Sequence, residues 1–179
     1  MSPREILDFW FHEIEPRDWW VKDPDFDSMM QARFGVTLNA ASQGELWTWR
    51  KTPIGCLAEV IVLDQFSRNI HRDTPHAFGN DGMALALAQT AVEAGVDDAL
   101  STEQRLFLYM PYMHSESSAI HEQAVLLFSQ PGLEENLGYE HKHKVIIDRF
   151  GRYPHRNHIL GRESTPAELS FLEEPGSSF

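Results

Sequence analysis

The sequence predicts an all-α fold on the basis of three observations. Apolar residues recur at spacings of three and four along most of the chain, as they do on one face of an amphipathic helix. No stretch shows the period-two alternation of a half-buried strand, and no Asn-Gly or Asp-Gly hairpin turn separates two apolar runs. Capping residues, prolines and glycines lie between the apolar stretches, where helices begin and end. We therefore expect about seven or eight helices joined by short links.

Proline and polar capping residues mark where the predicted helices begin. Ser2-Pro3-Arg4-Glu5 and Thr165-Pro166-Ala167-Glu168 each combine an N-cap, a proline at the first helical position and the acidic residue of a capping box. The predicted helices run from Pro3 to before Pro16, from Pro24 to about Gln43, from Pro53 to about Ile70, from a cap at Asn80 or Asp81 through Met83–Ala94 to Gly95, from Ser101 to a break at Pro111, from Ser115–Ser118 to Pro131, from about Leu133 to Phe150, and from Pro166 to about Leu172.

The third predicted helix changes character along its length. Its first half is apolar on nearly every side, which is typical of a central, buried helix. In its second half four polar residues fall in one sector at 100° per residue, namely Asp64, Gln65, Arg68 and Asn69. Asp64 and Arg68 are four residues apart and can form an ion pair. A buried helix that turns polar on one side needs hydrogen-bond partners there, so we expect another segment to supply them.

Length and charge limit the classes of function. A chain of 179 residues suits a single domain over residues 1–179. The formal net charge of -12 disfavours nucleic acids and anionic membrane surfaces as partners, because both are bound through an excess of Lys and Arg. Residues 141–162 are the exception, since they carry six basic residues against Asp148 alone. This basic segment either pairs with acidic helices of the same chain or forms a local site for an anion.

Cysteine content and the N-terminus predict a cytoplasmic setting. The single cysteine, Cys56, excludes an internal disulfide and a cysteine-rich metal site. The first residues lack the basic-then-apolar pattern of a secretory signal. No apolar run approaches the length of a membrane span. We therefore expect a reducing, cytoplasmic environment and no membrane association.

The densest polar chemistry lies between residues 148 and 169. Four arginines and two histidines surround a turn at Gly151 and Pro154; they are Arg149, Arg152, Arg156, Arg162, His155 and His158. The segment is too short to form a core of its own. Other parts of the chain must therefore receive these side chains.

Three sequence blocks together resemble a known family. They are LDQFSRNIHR at residues 63–72 with TPHAF at 74–78, YMPYMHSE at 109–116, and RFGRYPHRNHILGRESTP at 149–166. From about Ile6 onward the chain is similar to the bacterial domain-of-unknown-function family usually numbered 924. The resemblance implies a tetratricopeptide-like array of antiparallel helix pairs and no assigned activity. Ser67 and Ser117 depart from the proline and the acidic residue typical of that family. The tetratricopeptide signature itself is absent, so this arrangement depends on the resemblance.

We expect the three blocks to meet in one polar junction. Arginine suits bidentate recognition of a carboxylate or phosphate, so the junction is a candidate site for a small anionic ligand or a partner protein segment. The candidate ligand-binding residues are Asp64, Gln65, Arg68, Asn69, Arg72, Ser115, Glu116, Arg149, Arg152, Arg156, Asn157 and Arg162. The alternative is a buried network that locks these segments together without any ligand, partner binding then lying elsewhere.

A small enzyme, similar to a hydrolase or a transferase, is the other alternative. His114 or His155 would act as its acid/base beside an arginine anion clamp, because histidine titrates near neutral pH. His114-Ser115-Glu116 contains the residue types of a hydrolytic triad, but adjacent residues on one turn do not face each other. Ser115 fits a helix cap better.

Metal and cofactor binding find no support in the sequence. Nine histidines are present, but no His-Glu-x-x-His or cysteine spacing accompanies them. His141 and His143 would point about 200° apart on a helix. We therefore expect no metal and no cofactor.

Overall fold

A computed structural model of the protein describes residues 1–178, and Phe179 lies outside the described residues. Every regular element in this part is helical, which confirms the all-α prediction. The α-helices are α1 (Pro3–Asp8), α2 (Pro24–Ser42), α3 (Pro53–Ile61), α4 (Ser67–Ile70), α5 (Asp81–Glu93), α6 (Thr102–Met113), α7 (Ser118–Phe128), α8 (Glu134–Phe150) and α9 (Pro166–Leu172). Because α3 and α4 belong to one helical run, residues 1–178 contain eight helices.

Shorter helical segments complete the described chain. Two are π-helical and directly continue α1 and α3, at Phe9–Glu13 and Val62–Phe66. The 3₁₀ segments are Pro16–Trp19, Trp47–Lys51, Pro75–Phe78, Val96–Ala99 and Pro154–Arg156.

Contacts between residues divide the chain into two compact units. Unit 1 comprises Met1–Arg72 and His76–Pro111, and unit 2 comprises Asp73–Pro75 and the chain from Tyr112 onward. α6 therefore begins in unit 1 and ends, at Tyr112 and Met113, in unit 2. The expectation of one domain over residues 1–179 stays a prediction, as does the tetratricopeptide-like arrangement.

The predicted capping boxes are present at the first and last helices. Ser2 accepts the Glu5 amide at 3.3 Å, and the Glu5 carboxylate accepts the Ser2 amide at 2.7 Å. Thr165 and Glu168 form the same reciprocal pair at 3.3 and 2.7 Å. These bonds satisfy backbone donors that have no partner inside a helix. The sequence therefore correctly predicts both starting points.

The core of unit 1 is built around the helical run from α3 to α4. Its apolar residues Leu57 to Leu63 are fully buried. Aromatic rings pack beside it, with Phe34 4.8 Å from Phe66 and 4.6 Å from Phe9 between ring centroids. This confirms the central, buried helix that the sequence predicts.

The π-helical turn Val62–Phe66 corrects one detail of that prediction. An uninterrupted α-helix from Pro53 to Ile70 is wrong, because the turn inserts a wider, five-residue repeat into the run. All five residues of the turn are buried, including Asp64 and Gln65. No proline or glycine marks the turn in the sequence, so tertiary packing determines it.

Two further expectations from the sequence are wrong. Pro111 does not end α6, which continues to Met113, because the missing proline amide removes only one bond near the end of the helix. Ser115 does not cap α7, whose N-cap residue is Ser117 and makes no side-chain capping bond.

Unit 2 is organised around α7 and α8. His121 of α7 contacts Glu140 of α8, and Glu122 contacts Lys144, so the two helices are joined by polar pairs. Ile146, Ile147, Tyr153 and Phe171 then form the apolar cluster that joins α8 to α9.

Removing Arg50 should destabilise unit 1. Glu59 on α3 is fully buried, and its carboxylate accepts two hydrogen bonds from Arg50, both at 2.7 Å. Arg50→Ala leaves that carboxylate unpaired, so we expect the free energy of unfolding to fall by about 3 kcal/mol. Urea denaturation measures this. Arg17→Ala, at an exposed ion pair, is the control and should change stability by less than about 0.5 kcal/mol. Equal effects of the two variants would contradict the prediction.

Candidate functional site

The residues predicted from the sequence fall into one group in each unit. Unit 1 holds Asp64, Gln65, Arg68, Asn69 and Arg72, and unit 2 holds His114, Ser115, Glu116, Arg149, Arg152, His155, Arg156, Asn157 and Arg162. Within unit 2 the second and third sequence blocks contact each other. A single junction of all three blocks stays a prediction.

In unit 1 the predicted ion pair between Asp64 and Arg68 is present. The Arg68 guanidinium lies 3.1 Å from the fully buried Asp64 carboxylate. It also donates two hydrogen bonds to Asp81, at 3.0 and 3.1 Å. Gln65 donates to Asp64 through its side-chain amide. Arg68 thereby fastens the π-helical turn to the first residue of α5.

A second ion pair fastens the end of α4 to α2. Arg72 and Asn69 both donate to the Asp27 carboxylate, with Arg72 Nη2 at 2.8 Å and Asn69 Nδ2 at 3.1 Å from the same oxygen. No sequence signal marks Asp27 as their partner, because it lies more than forty positions earlier in the chain.

A pocket of about 490 Å³ lies in unit 1, between α2 and residues 70–71 and 76–80. Its lining residues are Gln31, Gly35, Leu38, Asn39, Ser42, Ile70, His71, His76, Gly79 and Asn80. The Asn80 amide nitrogen donates to the hydroxyls of Ser42 and Ser67 at 3.0 and 3.1 Å, which holds the two walls together. Among the described residues that line it, none is Asp, Glu, Lys or Arg.

Two histidines line the pocket, and their ring centroids are 5.6 Å apart. Burial, and then the neighbouring His76, lower the pKa of His71 below its ordinary value. His71 is therefore neutral at neutral pH. Sequence reasoning missed both residues, although they lie within the first block and flank the turn at Pro75.

Gly35 shapes the α2 wall of the pocket. A Cβ atom at this position would lie 2.5 Å from the side-chain nitrogen of Gln31. The missing side chain therefore makes room for Gln31. A glycine inside a helix lowers the stability of the helix by about 1 kcal/mol relative to alanine. At position 35 it also leaves the pocket wall without a side chain.

In unit 2 the third block binds the backbone of the loop that joins α6 to α7. The Met113 carbonyl accepts from the Tyr153 hydroxyl at 2.6 Å, the His114 carbonyl from Arg156 at 3.0 Å, and the Ser115 carbonyl from His121 at 2.9 Å. Carbonyls that α6 leaves without helical partners are thus satisfied by side chains. Ser115 enters this arrangement through its backbone.

Glu116 is the charged anchor of the same loop. Its carboxylate accepts two bonds from Arg162, at 2.6 and 2.9 Å, and one from the Tyr153 amide at 2.7 Å. Burial raises the pKa of Glu116, but hydrogen bonds from Arg162 and Tyr153 outweigh that effect and hold the pKa below its ordinary value. Glu116 is therefore ionised at neutral pH.

Arg152 is paired just as closely. It donates to the buried Glu168 carboxylate at 2.6 and 2.8 Å. The bond from Arg152 is the largest of several that hold the pKa of Glu168 far below its ordinary value. Arg149 differs, because its exposed guanidinium lies 4.6 Å from the Phe150 ring centroid and 5.6 Å from that of Phe171. Asn157 donates to the Ser164 hydroxyl at 3.0 Å.

His121 and Glu140 form a fully buried pair that the sequence does not indicate. His121 Nδ1 lies 2.6 Å from Glu140, and its Nε2 faces the Ser115 carbonyl, which can only accept a hydrogen bond. Nε2 therefore carries a hydrogen, and one further proton is shared across the contact with Glu140. Burial raises the pKa of Glu140, in keeping with a pair that is neutral overall.

His155 belongs to the third block, and His114 lies beside that block. The His114 carbonyl accepts from Arg156, and the His155 ring centroid is 5.5 Å from that of Tyr153. Their acid/base role stays a prediction. Among the described residues, no group of three His, Cys, Asp or Glu side chains could hold a metal ion. Within residues 1–178, no helix combines the length and apolarity needed to cross a membrane.

The chain belongs to a family of bacterial proteins of unknown function, DUF924, whose model matches residues 6–176. It is similar to a solved structure of a protein of unknown function, ATU0120, from Agrobacterium tumefaciens. The two sequences are 38% identical, 96% of each chain is covered, and the TM-score is 0.90. No curated protein matches the chain.

The buried His143 should make the protein sensitive to mild acid. Burial lowers the pKa of His143 to about 3, whereas its ordinary value is 6.5. Between these values the unfolded chain binds the extra proton, so stability is present above pH 6.5 and is lost as pH falls towards the folded-state pKa. The loss should reach about 3 kcal/mol at pH 4.

Urea denaturation at several pH values tests this prediction. His143→Gln should flatten the dependence of stability on pH between 6.5 and 4, whatever its effect on stability at pH 7. His141→Gln, an exposed site on the same helix, is the control and should keep the slope of the unchanged protein. An unchanged slope in His143→Gln would rule out this residue as the cause.

Proposed function

We propose that this protein binds a small molecule bearing an anionic group in the unit 1 pocket. The observation that supports this most strongly is the combination of a volume of about 490 Å³ with a lining of polar and apolar side chains. Small-molecule sites typically fall in the range of about 300–1,000 Å³ and combine apolar walls with a few polar groups. His71, His76, Gln31 and Asn39 supply the polar groups.

The charges around the pocket favour an anion over a cation. The lining has no carboxylate, whereas the chain as a whole has a net charge of -12. Arg68 and Arg72 lie near it in the chain, but Asp81 and Asp27 hold their guanidinium groups. In this proposal the two arginines brace the walls and the histidines face the ligand.

In this proposal the arginines of unit 2 stabilise the fold and do not bind the ligand. Arg152 and Arg162 each bind both oxygens of a carboxylate. Recruiting either one to a ligand would leave Glu168 or Glu116 without its main partner, which is costly for a buried or half-buried charge. We therefore favour a structural network, which joins segments of the chain, over an anion-binding site for these residues.

The remaining expectations complete the proposal. We propose a cytoplasmic location and a tetratricopeptide-like arrangement of the helices, the former in keeping with a single cysteine and the latter with the family. Burial raises the pKa of the Cys56 thiol, so this cysteine stays protonated and suits a reducing environment.

Filling the pocket should abolish binding without unfolding the protein. Gly35→Leu places a large side chain in the α2 wall, where the atoms nearest to the new Cβ belong to the flexible end of Gln31. Screening a set of small carboxylates, phosphates and amides by ligand-observed NMR should find binders to the unchanged protein that are lost in Gly35→Leu.

Gly138→Leu is the matched control, because Gly138 is also a helical glycine but has open space around it. It should retain every binder. Both variants should keep the thermal unfolding transition of a folded protein. Binders that persist in Gly35→Leu would show that they occupy another site and would refute the proposed pocket.

A further inference from the structure

We propose that the buried pair of His121 and Glu140 is a proton-binding site that holds the loop between α6 and α7, and that mildly alkaline pH releases this loop. Residues 114–117 form the loop, and both the loop and the pair belong to unit 2. The site shares no residue with the pocket of unit 1.

The His121 imidazole lies between hydrogen-bond acceptors. Its Nε2 atom is 2.9 Å from the Ser115 carbonyl, which can only accept. The Tyr153 hydroxyl lies 3.2 Å from the same nitrogen and donates its own hydrogen to the Met113 carbonyl, so it acts as a second acceptor. On the other side, Nδ1 is 2.6 Å from Glu140 Oε1. Both sides of the ring need a hydrogen, whereas a neutral imidazole carries only one.

The second hydrogen is the proton that the site binds. It lies either on Nδ1, as an imidazolium beside a carboxylate, or on Oε1, as a carboxylic acid beside a neutral imidazole. The total charge is zero in both forms, so the proton belongs to the pair and not to one residue. Both side chains are fully buried, which favours a pair without net charge. Burial also raises the pKa of Glu140.

Loss of this proton to the solvent leaves one hydrogen for two contacts. The second carboxylate oxygen, Glu140 Oε2, is buried and has no hydrogen-bond partner among residues 1–178, so the anion depends on His121. A buried charge without a donor is more costly than a carbonyl without one. The remaining hydrogen therefore moves to Nδ1, and the Ser115 carbonyl loses its bond to the ring.

The other bonds that hold the loop do not respond to mildly alkaline pH. Arg156 donates to the His114 carbonyl, and Arg162 donates to the Glu116 carboxylate. The guanidinium groups stay charged. Hydrogen bonds from Arg162 and Tyr153 outweigh burial and hold the pKa of Glu116 below its ordinary value, so this carboxylate stays ionised. The bond from the imidazole is therefore the part of the anchoring that one proton controls.

Other ionisable groups act on the pair or on its neighbour His143. Burial lowers the pKa of His143 to about 3, so this residue stays neutral above pH 7. Hydrogen bonds to Asp148 and Glu122 raise the pKa of Lys144 to about 12, so the ammonium stays charged. The complete set is His141, His143 and Lys144 on α8, Tyr153 and His155 of the third block, and His114 of the loop.

The proton count determines the sign of the pH dependence. In an unfolded chain histidine titrates near pH 6.5 and glutamate near about 4.3, so such a pair holds no shared proton much above pH 7. The folded pair keeps one. This part of the stability is therefore fully present below pH 6.5 and is lost as pH rises through the titration of the folded pair. One proton changes the folding equilibrium constant by about tenfold per pH unit.

Glu140→Gln separates the proton from the structure. The glutamine amide has the shape of the protonated acid and can donate to Nδ1 while Nε2 keeps its hydrogen, but it has no proton that pH can remove. In urea denaturation the folding constant of the unchanged protein should fall by about tenfold or more from pH 7 to 8.5, and that of Glu140→Gln by less than about threefold.

Glu135→Gln is the matched control, because Glu135 is an exposed glutamate on the same helix. Its folding constant should fall with pH as that of the unchanged protein does. An equal fall in Glu140→Gln and Glu135→Gln would overturn the proposal.

Nuclear magnetic resonance of the unchanged protein, labelled with ¹⁵N-histidine, needs no variant. At pH 7 Nε2 of His121 should carry a hydrogen. As the pH rises, that hydrogen should leave Nε2 before the protein unfolds, and Nδ1 should then carry one. Hydrogen-exchange protection of the amides of residues 115–117, corrected for the intrinsic rate, should fall by about tenfold or more over the same pH range. An Nε2 hydrogen that persists until the protein unfolds would overturn the release of the loop.

Discussion

The ion pair that Arg68 makes with two carboxylates is the constraint on which the pocket of unit 1 depends. Asp64 is fully buried in the π-helical turn and requires a cationic partner, because an unpaired buried charge is costly. Arg68 meets this requirement and also binds Asp81 at the start of α5. Both ends of the chain between Arg68 and Asp81 are therefore fixed, and Ile70, His71, His76, Gly79 and Asn80 from this chain form one wall of the pocket. Arg72 and Asp27 tie the same wall to α2.

Unit 2 applies the same physical principle to a loop. Side chains and one backbone amide of the third sequence block donate hydrogen bonds to the carbonyls at the end of α6 and to the carboxylate of Glu116. Because these groups are buried or half-buried, losing a partner costs more than the net gain of forming one bond. The dense polar chemistry of residues 149–162 therefore has a structural use. A high density of arginine in a sequence is not by itself evidence for an anion site.

Local features of the structure could be predicted from the sequence, and distant pairings could not. Ser2, Thr165 and their glutamates have a fixed spacing, so the capping boxes and helix starts follow directly from the chain. The pairing of Asp64 with Arg68 follows from helical geometry. The partnership of Asp27 with Arg72, and the meeting of α2 with residues 70–80, depend on tertiary packing that no local pattern encodes. The π-helical turn could not be predicted for the same reason. His71 and His76 could not be singled out either, because the sequence shows nothing about them beyond their place in the first block.

An experimental structure of the protein with an anionic binder from the small-molecule screen tests the central claim most directly, because the proposal is about location. The proposal holds that the arginines brace the fold and that the ligand lies between α2 and residues 70–71 and 76–80. The prediction is electron density for the binder in this pocket, with Arg152 and Arg162 still bound to Glu168 and Glu116. Density against Arg152 or Arg162, with their carboxylate partners displaced, would contradict it.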